Sequence, residues 1–318
     1  MVAALGGGRL THLAYGGRPL APDFLAPATV RHLDAASRAA LAPPWPRVAV
    51  AAGRRPAAVL RWLKRRAGAE LFAVQLMRPA RLTGFDLVAI PAHDRPHEDG
   101  RVVTTLGAPH PFDRAGLDRA RAALPPTAAA LPPPYVTVLI GGPTRGVRFT
   151  AADLDRLGHQ VDALARRLDA TVLATTSPRS PSDAALRLAR GLTVPHHVHD
   201  VDTATGENPL RALLGVAARI VVTADSASML SEAAAAGVPV HVFALNGPRG
   251  KFARLEAALA AAGVVQPWTG DAAAPPEPVN EAARLAGIIR ARLAARAPSR
   301  RRCAKVEGSG RPEEGGAT

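Results

Sequence analysis

The amino-acid sequence predicts an α/β protein built from two Rossmann-like, doubly wound domains. Its 318 residues exceed the usual length of one domain and suffice for two hydrophobic cores. Short apolar runs alternate with segments of helical pattern, which is typical of parallel sheets covered by helices. A proline-rich break at residues 124–134 separates two such series.

The first series predicts an N-terminal domain over residues 1–130, which we interpret as the acceptor side. Buried parallel strands need short, continuous apolar runs, and four occur here. The predicted strands are residues 48–52, 71–76, 85–90 and 101–105, and a basic helix is predicted over 55–66.

The second series predicts a C-terminal domain over residues 131–275. Its predicted strands are 135–140, 171–175, 220–222 and 238–243, and its helices are 150–168, 182–190, 208–216 and 250–262. Thr150 and Asp153 form a capping pattern at the start of the first helix. We expect a helix within 276–296 to pack back on the body and the basic tail at 297–318 to be disordered.

The composition restricts location and partners. No apolar run approaches the roughly 20 residues of a membrane-spanning helix, and no signal sequence is evident at the N-terminus. A single cysteine, Cys303, is compatible with a reducing compartment. We therefore expect a cytoplasmic protein, with peripheral contact to the inner membrane as a further option.

The net charge of +14 does not by itself indicate nucleic-acid binding. The chain has 37 arginines but only three lysines, a ratio that also follows from biased codon usage. Nine basic and three acidic residues lie from residue 284 onward, so much of the excess is in the tail. Aromatic residues make up 4% of the chain and supply few stacking platforms, which disfavours nucleic acid.

Polar strand ends in the second domain predict a small-molecule site. The ends of parallel strands line one edge of a sheet, and ligands collect there. Gly141 and Gly142 follow one strand, and glycine lets the backbone approach a diphosphate or simply forms a turn. The candidate nucleotide-binding residues at these strand ends are Gly141, Gly142, Thr144, Arg145, Thr175, Thr176, Ser177, Arg179, Asp225, Ser226, Ser228 and Met229.

Glu232 lies in the segment 219–243, whose pattern is strand, polar turn, Ala-rich helix, Gly237 and strand. It follows Ser228 by four residues, so both side chains occupy one helix face. An exposed glutamate is the usual outcome in such a helix. A carboxylate in this position is also suited to accept two ribose hydroxyls, as acidic residues do in dinucleotide sites.

Two histidine clusters allow other chemistry. Only His197 and His199 share a strand face in the run 196–199, so we predict no metal site. His93 and Asp94 follow the strand 85–90 and are candidates for a general base or for a structural turn. Ser226 lacks the flanking glycines of a nucleophile elbow, which disfavours serine hydrolase chemistry.

These segments together resemble the plant mitochondrial fission (elongated-mitochondria) proteins and their bacterial relatives. The stretches that carry the resemblance are residues 52–55 (Ala-Gly-Arg-Arg), 74–79, 85–94, 139–142, 175–177, 207–209, 222–233 and 278–284. The family is similar in fold to GT-B glycosyltransferases. By that resemblance Glu232 would hold a ribose, and Ser226 with the Gly141–Gly142 loop would hold a diphosphate.

The resemblance also indicates two departures. Residues 1–6 are similar to the end of the family's first helix, so either the start codon is misassigned or the first domain lacks its initial strand and loop. Pro178 stands where the family tends to carry one of two arginines, which leaves Arg179 alone as a phosphate ligand.

The resemblance leaves two functions open. The first is a metal-independent glycosyltransferase that takes a nucleotide-sugar as co-substrate, needs no cofactor and transfers to an unknown acceptor. The alternative is a non-enzymatic adaptor that recruits a protein partner, with the basic tail contacting that partner or an anionic membrane.

Overall fold

The computed structural model describes residues 1, 3–16, 28–97, 99–144, 146–247, 250–266, 268 and 275–296. Within these residues the chain forms two separate parallel sheets with helices packed on them, which confirms the predicted α/β class. The predicted strands and helices are present, and their ends differ from the predicted ends by three residues at most. Arg145 and the tail at 297–318 lie outside the described residues.

The first sheet has four parallel strands in the order β1-β2-β3-β4. These strands are β1 (Val48–Ala52), β2 (Phe72–Leu76), β3 (Leu87–Pro91) and β4 (Val102–Thr105). Two helices precede β2, α1 (Ala35–Ala39) and α2 (Arg54–Ala67), and α3 (Arg114–Ala120) follows β4.

Side chains alternate between the two faces along each buried strand, so both faces of this sheet are apolar, and helices cover both. Ala73 of β2 packs with Leu60 of α2 on one face. Phe72 and Val74 point to the other face, where they pack with Leu285 of the last helix, α10 (Glu281–Arg296). The chain therefore returns to the first domain after completing the second.

The connection between the sheets contains one short helix that the proline-rich sequence of residues 124–134 did not predict. α4 (Pro126–Ala129) is a single turn with proline at its start. Proline is tolerated at that position because the first N–H groups of a helix have no intrahelical partner. The prolines therefore limit the length of the helix and still allow one turn.

The second sheet has five parallel strands in the order β7-β6-β5-β8-β9. The strands are β5 (Tyr135–Leu139), β6 (Thr171–Thr175), β7 (His196–His199), β8 (Ala217–Thr223) and β9 (Val240–Phe243). The helices are α5 (Ala151–Arg167), α6 (Ala184–Arg190), α7 (Leu210–Val216), α8 (Ala227–Ala233) and α9 (Gly250–Ala261). The strand order reverses between β5 and β8, which is the topological switch point where such sheets bind ligands.

Local capping signals appear where the sequence predicts them. Thr150 accepts the N–H of Asp153 at the start of α5, and the Asp153 carboxylate accepts the N–H of Thr150 in return. α8 ends in a short 3-10 turn before Gly237, whose φ of +64° is the left-handed conformation that glycine favours at such ends. In the described part of the chain, every helix is too short or too polar to cross a bilayer.

Candidate functional site

The loops after β5 and β8 are joined by hydrogen bonds at the switch point. The N–H of Gly142 donates to Oδ2 of Asp225 at 2.8 Å, and the N–H of Gly141 donates to Oγ1 of Thr223 at 2.8 Å. Thr223 Oγ1 in turn donates to Oδ1 of Asp225 at 2.6 Å. The Asp225 carboxylate is completely buried, and burial, the largest effect, raises its pKa.

Both glycines of this loop are required by contacts within the protein. A Cβ at Gly141 would lie 2.0 Å from Oδ2 of Asp225, and one at Gly142 would lie 1.7 Å from the carbonyl oxygen of Arg179. Real Cβ contacts of this length do not occur. The space beside these glycines, which the sequence suggested for a ligand, is thus filled by the protein's own chain.

The loop after β6 joins the same cluster through Ser180. Its Oγ lies within hydrogen-bonding distance of the carbonyl oxygens of Ile140 (2.9 Å) and Gly141 (2.7 Å), and it accepts the N–H of Ser177 at 2.8 Å. The three predicted strand ends therefore meet at one edge of the sheet. Ser180 was not among the residues selected from the sequence, although it belongs to the same polar loop.

Two of the predicted hydroxyls are used inside the fold. Thr175 and Thr176 are 1% and 2% exposed. Thr176 Oγ1 bonds to Asp200 Oδ1 at 3.2 Å and accepts the N–H of Val201 at 2.9 Å. Thr176 thus holds the end of β6 against the loop after β7, and the Thr175 hydroxyl donates to the carbonyl oxygen of Thr176 at 3.2 Å.

Arg179 is the cation at this edge. Its guanidinium lies 3.6 Å from Oδ2 of Asp225, and 46% of its side chain remains exposed. One side of the group therefore faces a buried carboxylate and the other faces solvent. Thr144 lies in the loop after β5 and is half-buried. Its carbonyl oxygen accepts the N–H of Val147 at 3.0 Å.

The start of α8 is capped by its own serine. Ser226 Oγ accepts the N–H of Met229 at 3.3 Å, which satisfies one of the free donors of the first turn. Ser228 is exposed and Met229 is half-buried. Ser226 thus has a structural role at the helix start, while Ser228 faces solvent one turn before Glu232.

Glu232 is half-buried on α8, and its carboxylate has no hydrogen bond or ion pair with any residue that the structure describes. Burial raises its pKa and is the only cause of the shift. An unpaired, partly dehydrated carboxylate gains free energy from any group that donates hydrogen bonds to it.

The neighbouring face of α8 contacts the segment that follows β4. Ser231 Oγ donates to the carbonyl oxygen of Ala227 at 2.8 Å and accepts the N–H of Ala108 at 3.0 Å. Successive helical residues are rotated by about 100°, so Ser228 and Glu232 lie beside this contact. Glu232 therefore lies next to the contact between α8 and the segment that follows β4.

His93 and Asp94 are contacts between the domains. The carbonyl oxygen of His93 accepts a hydrogen bond from Arg254 Nε of α9 at 2.7 Å, and Asp94 forms an ion pair with Lys251 of the same helix. The imidazole is only 9% exposed, and burial, the largest effect, lowers its pKa. These contacts give the His93–Asp94 turn a structural role between the domains.

The histidines of β7 lie on an edge strand. His197 Nδ1 is 3.2 Å from Oγ1 of Thr127, and His196 Nδ1 is 2.9 Å from the carbonyl oxygen of Val194. Across the described ranges, nowhere do three histidine, cysteine or acidic side chains converge as metal ligands would.

Comparison with known proteins assigns the family. The family model described as mitochondrial fission ELM1 matches residues 7–293. The chain belongs to the mitochondrial fission ELM1 family. It is also similar to the mitochondrial fission protein ELM1 of Arabidopsis thaliana, with 32% identity over 282 residues that cover 79% of this chain and 65% of that protein. The chain thus spans less than two thirds of this relative's length.

Solved structures resemble this ELM1-family chain more distantly. The UDP-GlcNAc 2-epimerase of Neisseria meningitidis, solved with UDP-GlcNAc, has a TM-score of 0.45 and 13% identity, covering 79% of this chain and 76% of its own. MurG of Acinetobacter baumannii has a TM-score of 0.39 and 14% identity, covering 76% and 64% of the two chains.

The structure of this ELM1-family member adds residues that sequence reasoning missed. Glu281 at the start of α10 is 5% exposed, and its Oε1 accepts the N–H of Leu106 at 2.7 Å. Thr105 Oγ1 and His110 Nδ1 are buried without a hydrogen-bond partner in the described part of the chain. Thr105 ends the predicted strand 101–105 and His110 follows it, so the strand-end criterion applied to the second domain would have found them.

Proposed function

We propose that this ELM1-family chain binds a nucleotide-diphosphate sugar at the switch point of its second sheet. The observation that carries the proposal is Glu232, a half-buried carboxylate that lacks a described partner. Adjacent hydroxyls of a ribose would donate two hydrogen bonds to it without adding charge. Acidic residues hold ribose hydroxyls in this way in other nucleotide sites of doubly wound folds.

The diphosphate would lie near Arg179, whose exposed side faces the same edge of the sheet. Asp225 holds the Gly141–Gly142 loop and attracts this guanidinium, so it would act as a support and not as a ligand. Its negative charge is offset locally by Arg179, which allows an anion to approach. Arginine and backbone N–H groups can stabilise a leaving diphosphate without a metal.

The proposed reaction is transfer of the sugar to an acceptor on the first domain. The segment at residues 106–110, which follows β4, meets α8 through Ala108 and Ser231, so this segment lies close to the proposed ribose ligand. A sugar on the diphosphate would then face the segment that follows β4.

Calorimetric titration with UDP- and GDP-sugars tests the proposal. Loss of a charge-assisted hydrogen bond in Glu232→Ala should weaken binding by about 10- to 100-fold. Glu207→Ala, an exposed glutamate on the same domain, is the matched control and should bind as the unmutated chain does. Absence of binding of every nucleotide tested to the folded, unmutated chain would reject the proposal.

A second candidate function is recruitment of a protein partner. Two observations favour it: the related Arabidopsis protein is named for mitochondrial fission, and the tail at 297–318 carries five basic and three acidic residues. Pull-downs with the full chain and with residues 297–318 deleted test the tail. Identical sets of captured proteins would remove it from this function.

A further inference from the structure

The outward face of α2 is a continuous cationic surface, which we call the α2 arginine face. At 100° per residue, an arc of about 120° contains six positions: Arg54, Arg55, Ala58, Trp62, Arg65 and Arg66. The four arginines are exposed, and none of the six residues is acidic. The buried residues Val59, Leu60 and Leu63 lie outside this arc and pack toward the sheet.

The charge of this face is not neutralised by its surroundings. Residues 35–85 contain ten basic residues and one acidic residue, Glu70. The ion pair that α2 does form, between Lys64 and Asp86 at 2.9 Å, lies outside the arc. Among the residues that the structure describes, no carboxylate comes within 4.0 Å of the four guanidinium groups.

Trp62 lies within the arc and is half-buried. The Arg66 guanidinium is 5.5 Å from the centre of its ring, so the two side chains form one amphipathic group. Tryptophan favours the boundary between water and hydrocarbon, and arginine binds phosphate with paired hydrogen bonds. The face therefore combines the two side chains that suit a phospholipid surface.

We propose that the α2 arginine face docks the protein on an anionic lipid bilayer. The four arginines would contact lipid phosphate and carboxylate groups, and Trp62 would enter the headgroup layer. A lipid surface fits better than nucleic acid because the face is one helix about 21 Å long with a single aromatic ring, and successive bases need several stacking platforms. This surface is separate from the nucleotide site, so either proposal can fail alone.

Co-sedimentation of the full chain with vesicles tests the docking proposal. We expect binding to vesicles of phosphatidylcholine and phosphatidylserine mixed at about 3:1, little binding to phosphatidylcholine alone, and release as salt is raised. Arg65→Gln with Arg66→Gln should weaken binding about 30-fold, which corresponds to about fivefold for each arginine. Circular dichroism of the variant checks that it is folded.

The matched control carries the same charge change in the tail. Arg301→Gln with Arg302→Gln should retain most of the binding. A folded α2 variant that binds as the unmutated chain does, or a tail variant that alone loses binding, would overturn the proposal. Single-stranded RNA that displaces the protein from anionic vesicles and binds more tightly than they do would overturn it in favour of nucleic acid.

Discussion

The N–H of Gly142 donates to the buried carboxylate of Asp225 at 2.8 Å, joining two strand ends that are 83 residues apart in the sequence. This bond closes the switch point of the second sheet and leaves the exposed side of Arg179 at its edge. Each of the polar groups described in this cluster has a partner within the protein. Glu232, on α8, has no described partner. A ligand would therefore supply hydrogen bonds to Glu232, whereas the groups around Asp225 already have partners within the protein.

Because Gly142 lies against Arg179, we expect Gly142→Ala to destabilise the folded protein. In Gly142→Ala the new Cβ would meet the Arg179 carbonyl oxygen at 1.7 Å, so one of the two loops has to move. We expect a loss of about 1–3 kcal/mol in the free energy of unfolding, as for other overpacked sites. Urea denaturation measures this loss.

The control is another glycine that has free space around it. Gly287 is exposed within α10 and would meet no atom within 4 Å. Gly287→Ala should raise the free energy of unfolding by about 0.5–1 kcal/mol, because alanine favours the helix. Equal effects of the two substitutions would contradict the packing described for Gly142.

The unpaired carboxylate predicts opposite effects of Glu232→Gln on stability and on binding. Burial raises the pKa of Glu232 in the folded protein, so its contribution to stability is present below its unfolded pKa near 4.5 and is lost as the pH rises through the folded value. Glutamine does not ionise, so Glu232→Gln avoids this loss of stability as the pH rises. The ligand-free variant should therefore be more stable than the unmutated chain at neutral pH and should bind nucleotide more weakly.

Thermal unfolding at several pH values measures the difference. The gap in Tm between Glu232→Gln and the unmutated chain should widen from about pH 4 to about pH 7. Glu207→Gln, at an exposed position, should show no such gap. A gap that narrows with rising pH would mean that Glu232 has a cationic partner in the folded protein.

Glu281 predicts a specific link between the last helix and the first domain. Its carboxylate accepts the N–H of Leu106 and pairs with Arg284 Nε, each at 2.7 Å. Glu281→Ala should cost about 1–3 kcal/mol because the N–H of Leu106 loses its acceptor. Hydrogen exchange should accelerate at Leu106, whereas Glu277→Ala, at an exposed position, should leave that amide protected.

The buried histidines predict a loss of stability in mild acid. Burial, the largest effect, lowers the pKa values of His93 and His110 below the usual 6.5. The unfolded chain then binds protons that the folded chain does not, so stability falls as the pH drops through about 6.5. Denaturation midpoints measured from about pH 7.5 to about pH 5 should fall less steeply in His110→Gln. His159→Gln, at an exposed position, should keep the slope of the unmutated chain.

The sequence predicts the elements of this fold well because their signals are local. The capping pair Thr150 and Asp153 is three residues apart, and the apolar runs of the strands are continuous. The polar strand ends could likewise be placed on one edge, since parallel strands share that edge. These inferences need only short-range periodicity and the rules of parallel sheets.

Other features of the site depend on contacts between distant residues, which no local pattern encodes. The glycines at 141 and 142 indicate close approach, but the sequence does not say that Asp225 and Arg179 are what approaches. The bond from Leu106 to Glu281 spans 175 residues, and nothing in either segment predicts the other. The same limitation made Thr175 and Thr176 look like ligands, although their burial shows that they support the sheet.

The return of α10 to the first sheet has a consequence during synthesis. Leu285 and Ile289 are fully buried against Phe72 and Val74 of β2, so one face of the first sheet stays open until the last helix has been translated. Thr104 and its partner Arg284 are 180 residues apart, which corresponds to about 10–40 s of elongation. The sheet that emerges first from the ribosome is therefore completed last.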